Sequence, residues 1–195
     1  RKKKSHVGFL KSLLTPLNVG ILIMFLLNLA LSGGRDNDSK TNLRDGAKTP
    51  DAKAAETSIT GKLLDSDAIE SVLNSGRENI ALKKPAAQAS DYNAKTWGRN
   101  AVDGKRSGDI VSHTKNENCN DWWQVDLQGL YSVEDIIIFN RGGAQMIVDR
   151  LSNFFVEVLT LNGESWYITG KYHSTQSAGA RAGYHFEPGA EGSVV

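Results

Sequence analysis

Trp123, Val125 and Leu127 alternate with Gln124, Asp126 and Gln128. This is the period-two pattern of a strand with one face in a core and the other in water. A few residues later Ile136, Ile137, Ile138 and Phe139 follow one another without interruption, as a central strand covered on both faces requires. The segment "FFVEVLTLNG" ends in Asn162-Gly163, a strong hairpin signal, and "SWYITGKYH" supplies the partner strand. Short strands at this spacing predict an all-β sandwich or barrel over residues 78–195. The terminal "GSVV" reads as the start of a strand, so this domain is expected to continue beyond Val195. The sequence contains no G-x-x-x-x-G-K, H-E-x-x-H, G-x-S-x-G or C-x-x-C pattern and no internal repeat.

The chain before residue 78 has a different texture. No charge occurs between Lys11 and Arg35, a run of 23 residues, and a helix needs about 20 apolar residues to cross a bilayer. Residues 13–32 are therefore expected to form a transmembrane anchor. Residues 1–12, with Arg1, Lys2, Lys3, Lys4 and Lys11, form a basic cytosolic tail, because basic flanks stay inside. The rival is a cleaved signal peptide, with small residues Ala30 and Ser32 at the peptidase positions. Either reading exports the remainder, to a lumen or the outside. Residues 33–77 are polar and lack aromatic side chains. They are expected to be a disordered stem, unable to bury enough surface to order itself. Within it "SDAIESVL" has a short helical pattern, with Ser66 as cap, and Asn37-Asp38-Ser39 is a glycosylation sequon.

Charge and cysteine content narrow the function classes. Lys+Arg number 23 and Asp+Glu 22, a balance without the basic excess that nucleic acid selects. Cys119 is the only cysteine. In an exported domain that implies either a partner outside this sequence or a free thiol.

The stretches "NIALKKPAAQAS", "NAVDGK", "WWQVDL" and "NR…RLSNF", in that order, resemble the F-type lectins (fucolectins). These lie within the wider discoidin, or coagulation factor 5/8 type C, group. The resemblance implies a galactose-binding-like β-sandwich of jelly-roll type over residues 78–195. It also implies a glycan ligand of fucose or galactose type, and a binding role with no catalysis. The fucose-binding branch carries a histidine, then an R-x-D, then a further basic residue. His113, Arg141 and Arg150 match the three basic positions, with altered spacing, and Gly143 stands where the family has aspartate. The resemblance further implies a structural calcium at the "NAVDG" turn. Its ligands would be Asn100, Asp103 and Lys105, the first and last through backbone oxygens, and oxygen donors suit a hard cation.

The chemistry of such a triad is coherent. A guanidinium fork donates two parallel hydrogen bonds to neighbouring hydroxyls of a sugar, and histidine adds a donor or an acceptor. An aromatic face would pack on the ring's C–H side, with Tyr92 and Trp97 as candidates. Trp122 and Trp123 read as core and sheet residues. Asp126 reads as a partner of a backbone amide or of Arg150, and the second option would remove Arg150 from the site. Asp103 could equally cap a turn without metal. His173 and His185 have no companions at metal-ligand spacing. The alternatives to a membrane-displayed glycan-binding module are the targeting region of a larger carbohydrate-active enzyme and a lipid- or protein-binding discoidin domain. The loops offer the latter only Trp97 and Ile110–Val111 as exposed apolar spikes.

Overall fold

The computed structural model describes residues 21–28, 53–106, 111–115, 121–162 and 164–195, with side chains from residue 58 onward. Nine strands occur among them: β1 (Ile21–Asn28), β2 (Lys53–Thr60), β3 (Lys62–Leu64), β4 (Ala86–Gln88), β5 (Ser112–His113), β6 (Trp123–Asn140), β7 (Phe154–Asn162), β8 (Ser165–Ser174) and β9 (Arg181–Val194). Helix α1 (Ser66–Asn74), a 3-10 turn (Gly98–Val102) and the single-turn helix α2 (Gln145–Val148) complete the elements. The strands hydrogen-bond in the order β2-β8-β7-β9-β6-β1-β5, with β3 added on β9 and β4 on β6. The long strands β6 and β9 pair in two stretches, Asp126–Val133 against Ala190–Val194 and Asp135–Phe139 against Arg181–His185, separated by register shifts. Such bulges bend and twist a strand pair. One hydrogen-bonded path thereby folds over a core as an all-β sandwich.

The core follows the expected periodicity. Val125 and Leu127 are fully buried, and Trp123 packs against the cluster they belong to. On the isoleucine run, Ile136 and Ile138 face that main cluster while Ile137 and Phe139 face a second one. Gly192 lies where a Cβ would collide with Val158, which holds β9 tightly over β7. The β7–β8 hairpin forms as predicted, with Asn162 paired to Ser165 and so counted in the strand.

Three expectations are corrected. First, the segment expected as a transmembrane helix over 13–32 contains strand β1, which pairs in parallel with β6 and β5. Among the described residues no helix is long and apolar enough to cross a membrane. An unbroken apolar run satisfies a buried parallel strand as well as a membrane helix, and the edge of β6 decides between them here. Residues 1–20 and 29–52, including the basic tail and the sequon, lie outside the described residues.

Second, the expected stem is structured from Lys53. β2 joins β8, β3 joins β9, and α1 buries Ile69 and Val72 against Ile137 and Phe139. The helix thus supplies the second cover that the apolar run Ile136–Phe139 of β6 needs. Burying each such side chain contributes about 1.5–3 kcal/mol. Its N-cap is Asp65, whose carboxylate accepts from the Ala68 N–H at 2.8 Å, and not Ser66. Arg77 closes the segment onto the sheet through the buried Asp135, at 2.6 Å, and Glu134, at 3.2 Å. Third, "GSVV" is the end of β9 and not the start of a strand, and Val195 exchanges two backbone hydrogen bonds with Val125.

Candidate functional site

At one end of the sandwich the loop after β4, the β5 residues and the loop after β6 border a cavity of about 380 Å³. Its lining residues are Tyr92, Asn93, Thr96, Val111, His113, Arg141 and Arg150. The three basic residues read from the sequence therefore converge on one space. Each arrives on a different support.

His113 ends the two-residue strand β5, with its ring buried. Gln88, the last residue of β4, organises the backbone around it. The Gln88 amide nitrogen lies 2.7 Å from the Thr96 carbonyl, 2.8 Å from that of Ser90 and 3.2 Å from that of His113, while its oxygen accepts from the Ser112 hydroxyl. The loop carrying Tyr92 is thereby fixed to β5, with the Tyr92 N–H donating to the His113 carbonyl at 2.9 Å. The two rings meet edge-on, centroids 4.7 Å apart. Inside that loop Asn93 and Thr96 lock a turn: Thr96 Oγ1 accepts from the Asn93 N–H and donates to its carbonyl.

Arg141 directly follows β6, and Arg150 follows α2. Asn140, buried at the end of β6, joins their supports. Its side-chain nitrogen donates to the Val148 carbonyl at 2.8 Å and to the Gly179 carbonyl at 2.9 Å, and its oxygen accepts from the Arg141 N–H at 2.8 Å. Within the connecting loop Gly143 has φ +132, a conformation essentially restricted to glycine.

Burial holds the His113 pKa below the ordinary histidine value. The charges of Arg150 and Arg141 push the same way, against the adjacent Thr114 backbone and the Asp121 carboxylate. Nδ1 of His113 is buried without a hydrogen-bond partner of good geometry. The arrangement can orient a polar ligand, with two guanidinium forks, one neutral imidazole and an exposed tyrosine ring at the rim.

The remaining expectations sort clearly. Tyr92, not Trp97, lines the cavity, and Trp97 instead carries the Arg99 guanidinium 4.0 Å above its ring. Trp123 donates from its indole nitrogen to the Gly98 carbonyl at 2.8 Å, and neither it nor Trp122 lines the cavity. Asp126 accepts from the Gln128 N–H at 2.8 Å, the backbone-amide option, and leaves Arg150 to the cavity. His185 pairs with Asp135, and His173 with Asn153. Cys119 lies outside the described residues.

At the expected calcium turn, Asp103 accepts from the Lys105 N–H at 2.8 Å, and its other oxygen lies 3.5 Å from the Lys105 ammonium. Asn100 turns its amide nitrogen to the Lys95 and Val111 carbonyls. The oxygens are of the kind a hard cation takes, but three residues fall short of the six to eight ligands typical of calcium. The single carboxylate also already has a cation beside it. Among the described residues no cluster of three or more His, Cys, Asp or Glu side chains could hold a metal.

Gln88, Asn93, Thr96 and Asn140 were not singled out from the sequence, and Val111, expected as an exposed apolar spike, is instead buried in the cavity wall. Asn140 alone carried a signal there, as the polar residue that closes the apolar run Ile136–Phe139.

Residues 100–195 match the family model for F5/F8 type C, NedA-like, galactose-binding domains. The chain is 35% identical over 74 residues to Fucolectin-3 of Anguilla japonica, covering 34% of this chain and 40% of that protein. It thus spans well under half of that relative. A Streptococcus pneumoniae fucose binding module is similar in structure, with 31% identity and a TM-score of 0.51, over 62% of this chain and 83% of that one. The lectin domain of lectinolysin complexed with Lewis b antigen is 31% identical with a TM-score of 0.50, over 60% and 82%.

Proposed function

This chain belongs to the F5/F8 type C family of galactose-binding domains, and on that premise we propose that it is a lectin-like module that binds glycans without transforming them. One observation carries the reading: His113, Arg141 and Arg150, far apart in sequence, line a single cavity with Tyr92 at its rim. Similarity to a fucose binding module and to a lectin domain bound to Lewis b supports a fucose- or galactose-type unit as the ligand. In this reading the arginine forks hold neighbouring hydroxyls or their substituents, His113 supplies one further polar contact, and Tyr92 packs on the C–H face.

The test is a glycan array probed with the full chain, alongside Arg141→Ala. Binding by the wild type and loss by the variant, with an unchanged melting curve, is the expected result. Equal binding by both would remove the cavity from consideration.

A structural calcium at Asn100, Asp103 and Lys105 belongs to the same proposal. It requires the Lys105 ammonium to leave the Asp103 carboxylate. Calcium should then raise the melting temperature in the wild type and not in Asp103→Asn; no rise in either would end the idea.

A further inference from the structure

The cavity presents far more hydrogen-bond donors than acceptors. Arg141 and Arg150 donate only. Among the described residues neither is paired with a carboxylate; the ion pairs formed engage Lys62, Arg77, Lys105, Lys171, Arg181 and His185. Among the described residues the neighbouring acids hydrogen-bond to neutral partners: Asp149, next to Arg150, accepts from Gln145 at 2.7 Å, and Asp121 accepts from Thr114 at 3.0 Å. The Thr96 hydroxyl and the Asn93 side-chain oxygen are engaged within their own turn. Among the described side chains that line the cavity, the Tyr92 hydroxyl and the His113 ring remain to accept a proton from a ligand.

A sugar hydroxyl both donates and accepts, so a site built for neutral hydroxyls needs acceptors of its own. A lining of this kind is better matched by a group that only accepts. Among the described residues neither guanidinium is in an ion pair, so an anionic group entering the cavity would meet two unpaired positive charges, with Asp121 the negative charge felt at His113. An aspartate at position 143 would supply both the acceptor and the counter-charge. In this chain that residue has φ +132, which strongly favours glycine.

We propose that the ligand unit held in this cavity is an acidic saccharide, whose carboxylate or sulfate ester contacts the Arg141 and Arg150 guanidinium groups. The inference rests on the glycan-binding reading above and narrows its ligand class. Arginine forks match the oxygens of both anions, and hydrogen bonds between ionised partners are roughly twice as strong as neutral ones. Tyr92 and His113 then serve the sugar ring that carries the anion.

Calorimetry on the full chain tests this with galactose, fucose, galacturonate, galactose 6-sulfate and inorganic sulfate. At least one acidic sugar should bind about tenfold or more tighter than galactose, with the difference shrinking at high ionic strength. The tighter of the two acidic sugars identifies which anion the site takes. A second variant checks the cause. Gly142 is exposed, has open space within 4 Å of where a Cβ would stand and does not have a positive φ. Gly142→Asp should therefore weaken the acidic sugar and strengthen the neutral one. Galactose or fucose binding as tightly as the acidic sugars overturns the inference and leaves the glycan-binding reading standing. Inorganic sulfate binding as tightly as the sulfated sugar overturns it by showing an anion site indifferent to saccharide. Binding by no sugar at all overturns both.

Discussion

The Asn140 side-chain amide donates to the Val148 carbonyl at 2.8 Å, which ties the end of β6, where Arg141 begins, to the helical turn that delivers Arg150. The same nitrogen reaches Gly179, and the oxygen receives the Arg141 N–H. One buried amide thus sets the positions of both arginines.

Asn140→Ala removes three hydrogen bonds from a buried site, leaving the Gly179 carbonyl without its side-chain donor and the Val148 carbonyl with only the Ser177 hydroxyl at 3.4 Å. At about 1 kcal/mol or more for each, a stability loss of roughly 2–4 kcal/mol is expected in denaturant unfolding. Glycan affinity should fall further than for Arg150→Ala alone, because both arginines lose their support. Asn140→Asp should be no milder than Asn140→Ala, since a carboxylate would face the Val148 and Gly179 carbonyls.

Tyr92 and Trp97 are both exposed aromatics on neighbouring turns, but they face different surroundings. Tyr92→Ala is expected to weaken binding about tenfold, in line with losing an aromatic contact and its edge packing on His113. Trp97→Ala should leave affinity within about twofold. Titration of the two variants side by side separates them, and a larger loss from Trp97→Ala would relocate the sugar.

Gly143→Asp, the substitution that restores the family's carboxylate, is expected to destabilise the fold by about 1–3 kcal/mol. The cause is the backbone at φ +132 and not crowding, because the nearest atom to a Cβ there is Ile147 Cδ1 at 3.7 Å. Gly143→Ala should cost a similar amount, whereas Gly142→Ala should be nearly neutral in thermal melts.

His113 titrates below its ordinary value because it is buried and because Arg150 and Arg141 lie near, with Asp121 and the Thr114 backbone opposing. Between the lowered folded value and the unfolded one near 6.5, the unfolded chain binds more protons. The His113 contribution to stability is therefore complete above that range and is lost as pH falls through it. His113→Gln should remove this part of the pH dependence. An anionic ligand would favour the protonated ring, so acidic-sugar binding should take up protons and tighten as pH falls from neutral. Calorimetry in buffers of different ionisation enthalpy measures that uptake.

Ile69→Ala is expected to cost about 2–5 kcal/mol, the usual range for emptying a buried aliphatic site. Arg77→Ala should also destabilise, since it leaves the buried Asp135 carboxylate with only the His185 ring nitrogen at 2.9 Å beside it. A chain beginning at Glu78 should then melt below one beginning at Lys53. Equal melting temperatures would mean that residues 53–77 do not contribute to the fold in solution.

Much of the β-sandwich was legible in the residues because alternation is a local property. Val125 and Leu127, the covered isoleucine run and the β7–β8 hairpin all declare themselves within a few positions. The basic residues of the candidate site were legible too, through their resemblance to a known pattern and not through any spacing rule. That route missed Asn140 and Gln88, whose work is to hold other residues and whose partners are backbone carbonyls far along the chain.

The sequence by itself determined that residues 78–195 make strands, which faces are apolar, and that His113, Arg141 and Arg150 are the basic residues to watch. Only the tertiary structure decided the state of Ile21–Asn28 and of residues 53–77. An apolar run such as Ile21–Asn28 and a weakly apolar helix such as α1 have no preferred partner in isolation. They take their state from the exposed edge and the uncovered face that β6 offers. The tertiary structure likewise decided the character of the cavity. The charge of an arginine is written in the chain, but whether a carboxylate neutralises it depends on loop length, on the φ of Gly143 and on which neighbour Asp149 already holds.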